Sequence, residues 1–161
     1  MIFAARSARR SAFAVVLAVS LAFVGFDNAG AAKKPTSCTI LKATQIAKVL
    51  GEPVTGPNEA GTLGIACDFD IGEGLGEPGG GIAIVSYYDK GLAKGVFASI
   101  KSAGEKVAGT KAWWDATAES AMVHKKGKLV GVSLTYTSST PSTAELQPKM
   151  AALALLAAKK L

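Results

Sequence analysis

The chain has 161 residues, 49% of them hydrophobic, and a formal net charge of +6 from 18 lysines and arginines against 12 acidic residues. With one histidine and two cysteines, a tetrahedral zinc set is excluded once the cysteines bond to each other, and the length beyond an export leader suits one domain with a single core. Arginine stands only at positions 6, 9 and 10, so the rest of the chain forgoes the bidentate guanidinium that reads phosphates and guanine edges, and nucleic acid is not an expected partner.

The opening residues read as a cleavable secretory signal. Arg6, Arg9 and Arg10 precede an uncharged apolar run from Ser11 to Phe26, and Asp27-Asn28 is followed by the small residues Ala29-Gly30-Ala31-Ala32, which is the order of charged, apolar and cleavage regions. The run is shorter than the ~20 apolar residues of a spanning helix, and Lys33-Lys34-Pro35-Thr36-Ser37 in front of Cys38 is too polar for a lipid-bearing cysteine. Cleavage is expected after Ala31 or Ala32, leaving residues 33–161 as a single domain, secreted or periplasmic, with no stable membrane span. Losing residues 1–32 removes three arginines and one aspartate, a net two positive charges, so the formal charge falls from +6 to +4. Cys38 and Cys67 are then in oxidising surroundings, where a disulfide between them is the expectation.

Lys33 to Ser37 is a polar leader. Leu41, Ile46, Val49 and Leu50 fall at helical spacing with Gly51 as a stop and Pro53 beyond, which predicts a first helix over Leu41 to Leu50. Gly56-Pro57-Asn58-Glu59-Ala60-Gly61 reads as loop. From Gly64 the period becomes two, with Ile65, Cys67, Phe69 and Ile71 on one face and Ala66, Asp68 and Asp70 on the other, which predicts a half-buried strand. Gly72 to Gly81, with six glycines, is a hairpin loop, and Ile82 to Tyr88 is the partner strand. Asp89 caps a second helix whose stripe is Leu92, Val96, Phe97 and Ile100 and which Gly104 ends. After Gly109-Thr110 and the Trp113-Trp114 pair, Ser120 to His124 and Lys128 to Tyr136 form a second hairpin around Lys125-Lys126-Gly127. Thr143 to Lys160 is a closing helix that Pro148 kinks or starts.

The predicted order is therefore helix, hairpin, helix, hairpin, helix. This gives an α+β two-layer sandwich, an antiparallel sheet of about four strands with three helices on one face. The recurring helix-plus-hairpin unit hints at a pseudo-repeat.

No set of residues amounts to a catalytic or cofactor site, and no cofactor is expected. His124 has no nucleophile elbow to serve. Asp68 and Asp70, with Glu73 and Glu77 nearby, depart from the calcium-loop pattern at Gly72 and read as a solvated strand face. Gly72-Glu73-Gly74-Leu75-Gly76 lacks the lysine and the crossover helix of a phosphate loop. Trp113 and Trp114 are adjacent on an extended stretch, so they point opposite ways. An exposed tryptophan beside Lys111 is a candidate binding hot spot, and Trp113, Trp114 and Lys111 are the candidate ligand-binding residues.

The run Cys38-Thr39-Ile40-Leu41-Lys42-Ala43-Thr44-Gln45-Ile46, then Val49-Leu50-Gly51 and Cys67-Asp68-Phe69, resembles the small exported lipoproteins of unknown function common in actinobacteria. Gly109-Thr110-Lys111-Ala112-Trp113 and Lys126-Gly127-Lys128-Leu129-Val130 are similar to that group and to the related extracellular sensor domains of mycobacterial receptor kinases. The lipid-bearing cysteine of the group is absent here, and Lys42 replaces its capping threonine. The resemblance implies a disulfide-stapled α+β domain without known catalysis, and it transfers no functional residue.

The leading functional expectation is an exported, non-catalytic and monomeric binding module for a protein, a lipid or a cell-envelope component. An inhibitor or immunity protein that blocks a partner enzyme through a rigid face is one alternative. A small hydrolase using Asp68 or Asp70 is the other.

Overall fold

A computed structural model gives the structure of the protein and describes residues 37–60, 65–137 and 141–161. The export leader expected over residues 1–32 and the polar segment 33–36 lie outside the described residues. Eleven elements follow in order: α1 (Ser37–Ile40), α2 (Ala43–Leu50), β1 (Val54–Ala60), β2 (Ala66–Ile71), β3 (Gly81–Tyr88), α3 (Lys90–Ala103), β4 (Glu105–Lys106), β5 (Trp113–Asp115), β6 (Ser120–Lys125), β7 (Lys128–Tyr136) and α4 (Thr143–Ala158). The strands make one antiparallel sheet in the order β1-β2-β3-β7-β6-β5-β4. Among the described residues no helix is long and apolar enough to cross a membrane.

Local chemistry explains most boundaries. Gly51 ends α2 in the left-handed region, φ 79°, where a side chain is disfavoured, and its N–H donates to the Ala47 carbonyl. The Asp89 carboxylate accepts from the Gly91 N–H at 3.1 Å and opens α3. Ser142 and Glu145 form a reciprocal cap that starts α4, so Pro148 lies inside this helix rather than at its beginning. The missing proline N–H leaves the carbonyl of Ala144, a solvent-exposed residue, without its helix donor.

Pleating sorts the strand residues onto two faces. On the first face Cys67, Phe69, Ile71, Val85, Val123, Val130, Val132 and Trp114 are buried with the apolar sides of α1, α2 and α4, and they form the main core. On the second face Met122 and Leu129 meet Ala93 and Ile100 of α3, with Tyr88, Phe97 and Trp113 at the margin.

Four expectations are corrected here. The helix expected over residues 41–50 is α2 and begins only at Ala43, while a separate short helix, α1, precedes it and takes in Ser37 of the expected polar leader, which makes four helices among the described residues instead of three. Among the described residues the sheet has seven strands, not four, because β4 and β5 are too short to display a period and β1 is built from turn-forming residues. Pro57 donates no ladder hydrogen bond, and β1 accepts it because it is an edge strand whose register shifts between Thr55 and Asn58. The third correction concerns layers: α3 lies across the sheet from the other helices, since its stripe finds apolar partners on the second face, so the architecture is not two-layered over β5–β7. The fourth follows from it. β1-β2-β3 and β7-β6-β5 are both antiparallel meanders meeting at the β3–β7 pair, but the helices preceding them cover opposite faces, and a duplicated unit would cover the same one.

Cys38 and Cys67 are bonded, Cα atoms 5.0 Å apart, and tie α1 to β2. This accords with an oxidising compartment. At the far end of β7 the Tyr136 hydroxyl donates to Glu52 at 3.3 Å. Burial first, and then the Glu52 carboxylate, push the Tyr136 pKa up from 10.0 to about 12. The folded state thus holds this proton longer than the unfolded chain does. Its contribution is constant below pH 10 and is lost as pH rises toward about 12. Unfolding free energies measured in urea across this range should fall less steeply for Tyr136→Phe than for the native protein; parallel slopes contradict the assignment.

Candidate functional site

The site begins with a mismatch in strand length. β5 covers only Ser120–Met122 of its neighbour, pairing Trp113 with Met122, Trp114 with Ala121 and Asp115 with Ser120. β6 runs on beside β7 as far as the Lys125–Lys128 pair. Val123, His124 and Lys125 therefore border a stretch of open edge among the described residues. Lys126 and Gly127 have φ 51° and 78°, the two-residue turn whose twist suits a hairpin. In such a hairpin Lys125 and Lys128 exchange hydrogen bonds, and the alternation sends the backbone groups of Val123 to β7 and those of His124 outward.

What holds β5 back is the turn before it. The Val107 N–H donates to the Ala112 carbonyl at 3.0 Å and the Thr110 N–H to the Val107 carbonyl at 3.1 Å. The Thr110 hydroxyl bonds the Val107 carbonyl and accepts from the Ala112 N–H, each at 3.0 Å. Gly109 supplies the left-handed φ of 69°. The turn bonds to itself, carries Lys111 exposed, and diverges from β6 before His124 is reached.

Between this turn, the open edge and the end of α4 lies a cavity of about 620 Å³, lined by Lys111, Val123, His124, Lys125, Leu155, Ala158 and Lys159. Val123, Leu155 and Ala158 make an apolar floor, three lysines stand around it, and no carboxylate side chain lines it among the described residues. The Lys125 ammonium donates to the Ala158 carbonyl at 2.8 Å, where the negative end of the α4 dipole favours a cation. Lys111 and Lys159 are exposed. They stand at the rim, within reach of an incoming anion.

The His124 ring stacks on Phe97 with centroids 4.6 Å apart and planes 12° apart. Phe97 in turn meets Trp113 edge to face at 6.1 Å and 89°. A contact chain thus runs from the cavity through His124 and Phe97 to Trp113. Of the candidate residues read from the sequence, Lys111 lines the cavity, Trp113 is half-buried behind its wall, and Trp114 is 4% exposed in the main core. The two rings do point to opposite faces, and each packs into the apolar cluster on its side. Sequence reasoning missed Val123, His124, Lys125, Leu155, Ala158 and Lys159. The one available signal was the density of lysine at the β6–β7 turn and the end of α4.

Asp68 and Asp70 lie on the second face of β2 and do not join this cavity. Asn58 donates to Asp70 through its amide at 2.6 Å. Partial burial, and then the Asp70 charge, raise the Asp68 pKa above the ordinary carboxylate value. Asp68, Ile84 and Ser133 form one cross-strand row, so Asp68 and Ser133 are two strand spacings or roughly 10 Å apart, beyond hydrogen-bond reach. The face offers the hydrolase alternative no nucleophile from this row. Among the described residues no group of three or more histidine, cysteine or acidic side chains is gathered as for a metal ion.

Comparison with protein-family models, with curated proteins and with solved structures finds no match to this chain.

Proposed function

We propose that the chain is an exported, non-catalytic binding module and that its ligand occupies the groove between the open edge of β6 and the end of α4. The observation that carries the reading is the makeup of that groove. Its volume of about 620 Å³ lies within the roughly 300–1,000 Å³ of ligand pockets, which are characteristically apolar with a few convergent polar groups. Here the apolar part is Val123, Leu155 and Ala158, and the polar part is the lysines with the outward backbone groups of His124. The disulfide supports placement outside the cytoplasm, and the likeness to exported actinobacterial domains without known catalysis agrees with that placement.

Trp113 provides the readout, because Phe97 and His124 connect it to the cavity wall. Titrating the protein with fractionated cell-envelope and secreted material should change its emission saturably for at least one fraction. The double charge reversal Lys111→Glu with Lys159→Glu, both at exposed positions, should abolish the change while leaving the melting temperature within a few degrees. A saturable change that survives the reversal, or none from any fraction, rules the groove out as the binding site.

A further inference from the structure

The nature of the ligand follows from the open edge, and this inference rests on the groove being the binding site. We propose that the groove takes an extended peptide segment bearing carboxylate side chains, added as a strand to the edge of β6 at His124. By the hairpin register the His124 N–H and C=O face away from β7 toward the open edge, and a ligand that covers them must pair them, since burying an amide without a partner is costly. A hydrocarbon chain leaves both unpaired, whereas an extended backbone satisfies both by β-augmentation. The space lies on the line that β5 occupies further along, so the incoming strand continues β5 past the point where the Val107–Ala112 turn leaves the sheet.

Charge selects the side chains. Lys111 and Lys159 stand at the rim and Lys125 behind them, with no carboxylate side chain in the lining among the described residues. A second copy of this chain, pairing edge to edge through β6, would set these lysines against their counterparts, so the same charges that favour an acidic partner oppose self-association. Successive residues of a strand point to opposite sides. An apolar side chain over Val123 and Leu155, flanked by carboxylates within reach of Lys111 and Lys159, fits both the floor and the rim.

The probes are acetylated, amidated pentapeptides in which glutamate alternates with valine, leucine or phenylalanine, titrated into the purified protein and followed by Trp113 emission and the His124 amide resonance. Saturable binding is expected, weakened about tenfold or more by the Lys111→Glu, Lys159→Glu pair. Peptides N-methylated at every second amide should divide by phase: one phase, whose amides face β6, loses binding, and the other keeps it. Equal binding of both phases, equal binding of lysine-for-glutamate peptides, or no binding overturns strand addition. If the peptides fail while an envelope fraction still acts through Lys111 and Lys159, the binding-module reading survives without this ligand; if both fail, both are overturned.

Discussion

Reducing the Cys38–Cys67 bond should cost the fold about 3–4 kcal/mol on the chain-entropy model, for cysteines 29 residues apart. α1 has only four residues, too few to persist without tertiary support. Its Ile40 and the following Leu41 are nonetheless 1% exposed in the main core. The bond fixes this segment against β2, and Cys67 itself is fully buried beside Phe69. Small domains hold only about 5–15 kcal/mol in total, so the loss is a large fraction. Thermal melts with and without dithiothreitol should differ by roughly 10–20 °C, and the Cys38→Ala, Cys67→Ala double variant should melt near the reduced protein. Superimposable melts, with two thiols titrating in the untreated protein, contradict the bond and the oxidising compartment together.

Phe69→Ala should be at least as damaging. Phe69 is fully buried and heads the largest such side chains; it sits in β2 between β1 and β3 on the core face, two residues from the disulfide. Truncating a buried phenylalanine costs about 3–5 kcal/mol, part from lost transfer energy and part from the cavity left behind. Relaxation into that space is limited, because backbone closes on this residue: a side chain on Gly56 of β1 would meet the Phe69 Cα at 3.3 Å. Leu75→Ala is the contrast, since Leu75 is 56% exposed and its truncation should stay within about 0.5 kcal/mol. Urea denaturation of the two variants gives the comparison. Equal midpoints would mean that the face bearing Cys67, Phe69 and Ile71 is not the core. The disulfide and Phe69 share one neighbourhood, so their losses should not simply add.

The inward face of β2 was legible because alternation from Ile65 to Ile71 has only one reading. So were the two hairpins, the Asp89 cap, the Gly51 and Gly104 stops and the opposite directions of Trp113 and Trp114. β1 was illegible for a physical reason: its pairing comes from β2 offering an edge, not from residues that prefer extension, and Gly56-Pro57-Asn58 carries the signature of a turn. The side taken by α3 was illegible as well. A period of 3.6 identifies which stripe is apolar but not which sheet face receives it, and Met122 and Leu129 disclose the second face only after β6 and β7 are registered. The cavity was hardest of all. Lys111, His124 and Lys159 are far apart in the chain and meet only because β5 is three residues long and α4 ends opposite the uncovered part of β6. Lys111 was found by its place beside the tryptophans, of which one was expected in the core and the other exposed; Trp114 is in the core and Trp113 is half-buried.

Amide chemical-shift mapping during saturation by the ligand-bearing fraction tests the groove most directly. The largest displacements are predicted at Lys111, His124 and Lys159, with the resonances of Asp68 and Asp70 unmoved. Saturation that displaces Asp68 and Asp70 while His124 stays in place would contradict the assignment of the site to the open edge of β6.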